Sequence, residues 1–463
     1  MSTFLNSESI LSLFNKVKTA TNTEAEKIID NALKLKGLSP EETAILLQCK
    51  DPEILNKTFK AAKIIKEEIY GKRLVIFAPL YITNYCANNC LYCGFRTENN
   101  GLKRKRLSLK EIEAEVRIIE DEGQKRILLV AGEDSETSNI DFLERAISTI
   151  YATKQGRGEI RRLNVNVAPM TVKNFKRLKK TGIGTYQLFQ ETYHPGEYKQ
   201  THFGGPKSNY QDRLYAMHRA QEAGIDDVGI GVLFGLADYR FEVLALLYHA
   251  LELEKQFGVG PHTISIPRIE PAFNAPLANQ PPAPVSDADF KKLVAILRLA
   301  VPYTGMILST RESAKIRNEV IGLGISQISA GSRTTPGGYK YSEQEHPESE
   351  QFSLHDSRSL LEVIKDISRL GYSPSFCTAC YRLGRTGKDF MDLARPGLIH
   401  KHCLPNSLLT FKEYLIDYGD AEARELGKKI IQEQLNEIDN PQRKAATVKR
   451  LKELETGTRD LYF

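Results

Sequence analysis

The feature that most constrains this chain is a short loop with three cysteines, Cys86, Cys90 and Cys93, in the spacing C-x3-C-x2-C. The loop follows an apolar run over 74–82, so it leaves the end of a predicted buried strand. Three thiolates can hold three corners of a [4Fe–4S] cluster and leave the fourth iron open to an amino acid headgroup. A zinc loop, or a cluster completed by a cysteine from elsewhere, is the alternative. Zinc sites usually use four closed ligands and paired CxxC knuckles, so this spacing favours the open cluster.

Length and composition indicate a large globular protein. With 463 residues the chain exceeds one core of usual size, which predicts two domains or one large barrel with extensions. Its 64 basic and 58 acidic residues give a net charge of +6, too diffuse to indicate nucleic-acid binding. No apolar stretch approaches 18 residues and the N-terminus lacks a signal-peptide core, so we expect a cytoplasmic protein with no membrane span. The basic run from Lys103 to Arg106 is predicted to be a solvated loop, and Cys49 a small core residue.

The order of apolar and amphipathic segments predicts an α/β fold. From 74 to about 334, short β-branched runs alternate with longer amphipathic segments. The runs lie at 74–82, 126–130, 163–167, 185–189, 228–234, 263–266, 306–308 and 326–329. Strand then helix, eight times, is the pattern of a (β/α)8 TIM-type barrel. An open doubly wound sheet is the alternative, but no G-x-G-x-x-G follows the first strand.

Three units follow from this pattern. They are an N-terminal helical extension over 1–72, a barrel over 73–340 and a mainly helical C-terminal cluster-binding domain over 341–463. In the extension, Ser39 with Pro40 and Glu42 forms a helix start signal. Further helices are predicted from Ser108, over 213–223, over 241–257 and over 357–370, with a polar linker over 335–356.

The barrel hypothesis predicts where chemistry occurs. Segments just after the strands converge on one mouth, where barrel enzymes carry their active sites. Glu133 follows strand two, Glu191 follows strand four, Ser309 and Arg311 follow strand seven, and Arg333 follows strand eight. Carboxylates, hydroxyls and guanidinium groups at one mouth suit a zwitterionic substrate beside a cluster.

A second group of cysteines lies near the C-terminus. Cys377, Cys380 and Cys403 have the spacing C-x2-C-x22-C. Two groups of three in a chain of this length are unlike a disulfide framework. The group predicts either a Cys3His zinc site, completed by His402 or His400, or a second [4Fe–4S] cluster that also has an open iron.

Together the two cysteine patterns resemble a known family. The first spacing resembles the radical S-adenosylmethionine (SAM) superfamily. Combined with the C-terminal pattern, it closely resembles the HydG family, the radical SAM tyrosine lyases of [FeFe]-hydrogenase maturation. The resemblance extends over essentially the whole chain and includes the segments 190–194 and 309–312.

This resemblance implies which residues contact SAM. Gly132 and Glu133 are implied near its amino group, and Tyr92 beside the adenine. Gly231 and Gly235, in a G-x-L-x-G segment on strand five, are similar to the superfamily's adenine-contacting segment.

The resemblance also implies the substrate and iron contacts. Arg311 and Arg333 are candidates for the substrate carboxylate, since guanidinium pairs bidentately with carboxylate, and Ser309 is a candidate to bond the same group. Glu191 is a candidate to position SAM or transfer a proton; it and Arg311 are the catalytic candidates. His262, at the start of strand six, would bind a fifth, labile iron, whereas a lone histidine there is ordinarily structural. Products would then cross the barrel through a water-filled tube.

The implied activity has two stages. A radical derived from SAM would take hydrogen from the amine of L-tyrosine, and Cα–Cβ cleavage would release p-cresol and dehydroglycine. Dehydroglycine would yield carbon monoxide and cyanide, captured as an Fe(CO)2(CN) unit that carries cysteine or a related amino acid. The implied partners are the maturation proteins HydE and HydF and an external electron donor. The alternatives are a ThiH-like 2-iminoacetate synthase, which lacks the C-terminal cysteines, and a non-catalytic iron–sulfur scaffold.

Overall fold

A computed structural model describes residues 3–340 and 347–463 of the chain. Four helices precede the barrel: α1 (Ser7–Lys16), α2 (Asn22–Ala32), α3 (Pro40–Gln48) and α4 (Pro52–Tyr70). Ser39 caps α3 in a reciprocal capping box with Glu42, which confirms the start signal.

Eight parallel strands form a closed barrel. They are β1 (Arg73–Thr83), β2 (Arg126–Ala131), β3 (Arg162–Asn166), β4 (Tyr186–Gln187), β5 (Val228–Gly231), β6 (Thr263–Ser265), β7 (Gly305–Leu308) and β8 (Gln327–Ser329). Each strand pairs with the next along the chain. The last closes on the first, with Val75 opposite Gln327 and Phe77 opposite Ser329. This closure confirms the predicted barrel and excludes the open sheet.

Helices cover the outside of the barrel. They are α5 (Leu109–Asp121), α6 (Ile140–Ala152), α7 (Val172–Lys180), α8 (Pro195–Thr201), α9 (Tyr210–Leu214), α10 (Ala216–Glu222), α11 (Tyr239–Phe257), α12 (Pro276–Asn279), α13 (Asp287–Ala300) and α14 (Ala314–Ile321). A short hairpin, Lys154–Gln155 with Gly158–Glu159, lies between β2 and β3. The N-terminal extension packs on this layer, with α3 against α11 and α13 and α4 against α13.

The single helix predicted over 213–223 is wrong. The segment forms two short helices, α9 and α10, interrupted at Tyr215. In this arrangement Arg213, near the end of α9, points into the barrel mouth, where its guanidinium donates to the carbonyl of Phe189 and pairs with Glu133.

The C-terminal part begins by extending the barrel sheet. Strand β9 (Ser373–Ser375) pairs in parallel with the first residues of β1, Arg73 opposite Ser373. The helices of this part are α15 (Leu360–Arg369), α16 (Ala379–Arg382), α17 (Gly387–Ala394), α18 (His400–Asp417), α19 (Ala421–Leu435) and α20 (Pro441–Glu455). Because β9 belongs to the barrel sheet, the domain boundary at 340 stays a prediction. Part of the predicted linker, 341–346, lies outside the described residues.

Candidate functional site

The first cysteine triad lies in the loop between β1 and α5, at the C-terminal mouth of the barrel. All three cysteines line one cavity, together with Glu133 and Arg311. The Ala87 amide donates to the Glu133 carbonyl at 2.9 Å, which ties the loop to the end of β2. In this part of the mouth, the segments that follow the strands therefore do lie close together, as predicted.

Burial affects the protonation of these thiols. It raises the pKa of Cys86 and of Cys93 to about 11 and that of Cys90 to about 12. Such thiols stay protonated at neutral pH unless a cation replaces the proton. Within the described part of the chain, no three His, Cys, Asp or Glu side chains converge on one metal-ion position. Three cysteines around one cavity fit a [4Fe–4S] cluster, whose irons are separate positions.

A buried ion network supports the cysteine loop. Arg213 pairs with Glu133 at 2.9 Å, and Lys207 pairs with Glu191 at 2.6 Å. Asn88 joins the two pairs, because its amide donates to Glu133 and its oxygen accepts from the Lys207 amide. Burial alone would raise the pKa of Glu133, but Arg213 and Lys207 hold it below its ordinary value. Sequence reasoning missed Lys207 and Arg213, whose position depends on the interrupted helix and the loop after α8.

Glu191 is held in an uncommon backbone conformation. Its φ of +70° lies in the left-handed region, which non-glycine residues rarely adopt. Glu242 of α11 secures the residues that follow: it accepts from the Thr192 hydroxyl and, at 2.9 Å, from the Tyr193 amide. Burial raises the pKa of Glu242 to about 7. Glu242 is thus a positioning residue that the sequence alone did not identify.

The opposite wall of the mouth carries the substrate candidates. Ser309 and Arg311 both line the cavity, after β7. Arg311 is half-buried, its guanidinium lies 3.2 Å from the ring centre of Phe352, and the burial lowers its pKa. Beside it, the Tyr81 hydroxyl donates to Gln351 at 2.8 Å, and the Gln351 amide lies 3.7 Å from the Cys93 sulfur. Residues of the predicted linker therefore close one side of the site.

Some of the predicted SAM contacts line the cavity and others do not. Tyr92 and Gly132 line the cavity, and the Tyr92 hydroxyl hydrogen-bonds His202 Nε2 at 2.8 Å. A Cβ atom at Gly132 would lie 2.1 Å from the Tyr85 carbonyl oxygen, so the cysteine loop requires glycine there. Gly231 and Gly235 are not part of the cavity wall, which uses Leu233 between them.

Arg333 does not share the mouth with Arg311. It lies outside the cavity wall, its guanidinium donates to the Ser332 carbonyl, and its charge offsets the rise that burial causes in the pKa of Glu122. A position just after a strand predicts which end of the barrel a residue lies at, but it does not predict the direction of the side chain. Nothing in this arrangement brings Arg333 to a substrate at the mouth.

The second cysteine triad lies at the other end of the barrel. Cys377 follows β9, Cys380 is on α16 and Cys403 is on α18; all three line a cavity that also includes His262. His400 and His402 are not in that wall, so the structure does not favour either as the fourth ligand of a zinc site.

Charges around this second cavity suit a cluster held by thiolates. Arg73 and Arg126 line it, and Arg126 donates to the Cys377 carbonyl at 2.7 Å. Buried cations offset the negative charge of three thiolates. Burial lowers the pKa of His262, which keeps its imidazole neutral and able to bind a metal. Its Nε2 lies 3.3 Å from the Tyr381 hydroxyl, inside the same cavity.

The two cavities approach each other inside the barrel. The upper one reaches down to Phe77 on β1 and Ile307 on β7, and the lower one reaches up to Val75 and Gly305 on the same strands. Inward residues alternate along a strand, so successive layers of side chains line the two cavities. The upper cavity is also lined by polar inward side chains: Asn166, Gln187, Ser265 and Ser329. This is unlike the branched apolar layers that usually fill such a barrel, although the water-filled tube stays a prediction.

Comparisons with known proteins agree with this geometry. The Radical SAM superfamily profile matches residues 80–246, and that of the Biotin and Thiamin Synthesis associated domain matches 265–373, ending before Cys377. A crystal structure of HydG, a maturase of the [FeFe]-hydrogenase, is 54% identical, with a TM-score of 0.96 and complete coverage of both chains. HydG from Carboxydothermus hydrogenoformans is 44% identical, with a TM-score of 0.84 over 96% of this chain and 97% of that one. The 2-iminoacetate synthase of Salmonella typhimurium is 32% identical over 78% of this chain and 93% of its own length.

Proposed function

This chain belongs to the HydG family of radical SAM enzymes, and we propose that it cleaves L-tyrosine between Cα and Cβ to p-cresol and dehydroglycine. In this proposal dehydroglycine then yields carbon monoxide and cyanide, which leave as an Fe(CO)2(CN)–cysteine unit for hydrogenase assembly. One observation carries the proposal: a second cysteine triad and His262 share a cavity at the far end of the barrel from the first triad.

At the mouth, Cys86, Cys90 and Cys93 would hold the cluster that binds SAM. When bound, that cluster and SAM supply the radical that starts the reaction. Arg311 would hold the tyrosine carboxylate, since its guanidinium lies over the Phe352 ring and forms no ion pair within the described part of the chain. Ser309, on the same wall, would bond the same carboxylate.

Glu191 is suited to orient a positively charged group. Its carboxylate is fixed by Lys207 at 2.6 Å and by its constrained backbone, so it cannot swing away when a ligand binds. In the proposal it orients the amine of SAM or accepts a proton there, while Glu133 binds the same end of SAM from β2. Tyr92, fixed by His202, would cover the adenine.

At the bottom, Cys377, Cys380 and Cys403 would hold the second cluster. His262 would bind the extra iron, which is cargo rather than a resident cofactor, through its neutral imidazole. Dehydroglycine would reach this end through the barrel, because successive layers of inward side chains line the two cavities. The bridging amino acid on that iron is proposed to be cysteine or a close relative.

Two alternatives make different demands on the structure. A 2-iminoacetate synthase needs the mouth but has no use for the second triad or for His262 in its cavity. A scaffold needs neither Arg311 nor a constrained Glu191 at the mouth. The maturation proteins HydE and HydF and an external electron donor are partners by family inference. No described helix has the length and apolar character needed to cross a bilayer; a cytoplasmic location stays a prediction.

The test is an anaerobic reaction of the reconstituted protein with SAM, dithionite and tyrosine. Carbon monoxide trapped by a haem protein is measured together with p-cresol. We expect both products, and we expect Cys377→Ala with Cys380→Ala to abolish CO and retain p-cresol. Cys49→Ala, at the end of α3, is the matched control and should retain both. p-Cresol without CO in the fully loaded protein would favour the synthase, and neither product would favour the scaffold.

A further inference from the structure

Three exposed aromatic side chains lie on the solvent side of the first cysteine loop. Tyr85 is 39% exposed, Phe203 58% and Phe273 39%. They come from three separate segments: the loop itself, the turn after α8 and the turn before α12. Large aromatic side chains exposed together mark a contact surface more often than an isolated one does. These three residues define the aromatic cap.

Backbone contacts join the cap to the cysteine loop. The Leu91 amide donates to the Thr201 carbonyl at 3.1 Å, and the Asn89 amide donates to the Gly204 carbonyl, on either side of Phe203. On the other side, the Asn99 side-chain amide donates to the Phe273 carbonyl at 3.0 Å. The cap is therefore built directly over the residues that carry Cys86, Cys90 and Cys93.

The cysteine loop, one of the segments that form the cap, is predominantly basic. Lys103, Arg106 and Lys199 are exposed. Arg104 runs beside the loop, where its guanidinium donates to the Asn84 and Phe95 carbonyls at 2.7 and 2.8 Å. Over 84–107 the one carboxylate is Glu98, and it pairs with Arg96 at 2.8 Å. The basic run that was predicted to be only a solvated loop thus gives this face a positive charge.

This face is the direct route from solvent to the first triad. Toward the barrel the triad faces the reaction cavity, and Gln351 and Phe352 cover another side. Cys86 and Cys93 are half-buried, and Ala87 between the cysteines is exposed. A donor that must bring its redox centre close to this triad can approach through the cap without entering the substrate cavity.

We propose that the aromatic cap with Lys103 and Lys199 is the docking surface for a small acidic one-electron carrier protein. The inference rests on the proposed function, since only a cluster at Cys86, Cys90 and Cys93 needs an electron from outside. In the transfer the carrier loses one electron, the cluster gains one, and no bond forms or breaks. A modest contact area with charge steering is typical of weak redox encounters, which must separate after each transfer.

The test uses the complete protein and a bacterial two-[4Fe–4S] ferredoxin, a small acidic carrier, as the probe. Binding is measured by calorimetry at low and moderate salt, and reduction of the cluster by stopped-flow absorbance with reduced ferredoxin or with dithionite. Lys103→Glu with Lys199→Glu should weaken ferredoxin binding about tenfold at low salt, and less at moderate salt because the charges are screened. Reduction by ferredoxin should slow in proportion, while reduction by dithionite stays unchanged.

Matched controls distinguish this surface from general charge effects. Lys429→Glu with Lys449→Glu, exposed on α19 and α20, removes the same charge far from the loop and should leave binding unchanged. Equal weakening by both pairs, or none by the first pair, would overturn the proposal. Phe203→Ser does not change the charge, so it tests the proposal even if the first pair of substitutions disturbs folding. If this variant binds ferredoxin as the unmodified protein does, the aromatic cap is not the docking surface. Failure of the proposed function would show separately, as no SAM cleavage with dithionite in the unmodified protein.

Discussion

Replacing Glu242 by glutamine tests how the loop that carries Glu191 is held. Glu242 is 1% exposed and accepts hydrogen bonds from the Thr192 hydroxyl and the Tyr193 amide. Burial, the largest influence, raises its pKa from an ordinary 4.5 to about 7, although these hydrogen bonds favour the charged form. The folded protein therefore binds this proton more tightly than the unfolded chain does, and its stability must fall as the pH rises.

The size of the effect follows from the two pKa values. Below about pH 4.5 the raised pKa of the folded protein does not lower the free energy of unfolding. Above about pH 7 the whole loss of free energy is present. The total loss is on the order of 3 kcal/mol, and most of it falls between about pH 5 and pH 8. Glutamine keeps an acceptor oxygen for the Tyr193 amide but cannot ionise, so Glu242→Gln should remove this part of the pH dependence.

The assay compares urea unfolding of the two proteins across that pH range, with hydrogen exchange of residues 190–194 as a local measure. The variant should lose less stability on going from about pH 5 to pH 8, and the difference should be on the order of 2 kcal/mol. Glu222→Gln, at an exposed position on α10, is the control and should follow the unmodified protein. Parallel curves for Glu242→Gln and the unmodified protein would refute the claim that a buried carboxylate holds this loop.

Three further substitutions test the two ends of the barrel. His262→Ala should remove the extra iron and CO while p-cresol continues, measured by iron analysis and CO trapping; loss of p-cresol as well would contradict a role confined to the lower cavity. Arg311→Lys should raise the KM for tyrosine by about ten- to one-hundredfold, since one ammonium replaces a bidentate contact worth about 1.5–3 kcal/mol; an unchanged KM would exclude Arg311 as the carboxylate partner. Gly132→Ala should lower iron loading of the first triad and spare the second, because its Cβ would lie 2.1 Å from the Tyr85 carbonyl oxygen; equal loading of both would contradict that close approach.

Much of the fold was predictable because it depends on local patterns. Apolar runs at regular intervals fix eight strands, and the strand-end rule brings Glu133, Glu191, Ser309 and Arg311 to one mouth. Arg333 also follows a strand, but it is not among the residues that line the cavity. The rule also could not reveal that the helix over 213–223 is interrupted.

The sequence by itself determined the ligand chemistry: six cysteines in two spacings, a histidine before strand six and a barrel to separate them. Spacing within a loop is local, so it can be read before the chain folds. Only the tertiary structure decided which distant groups complete each site. Lys207, Glu242, Gln351 and Phe352 reach the mouth through contacts between segments far apart in the chain. Pairing of β9 with β1 likewise brings the second triad beneath the barrel, because a strand register is set by long-range hydrogen bonds rather than by local pattern.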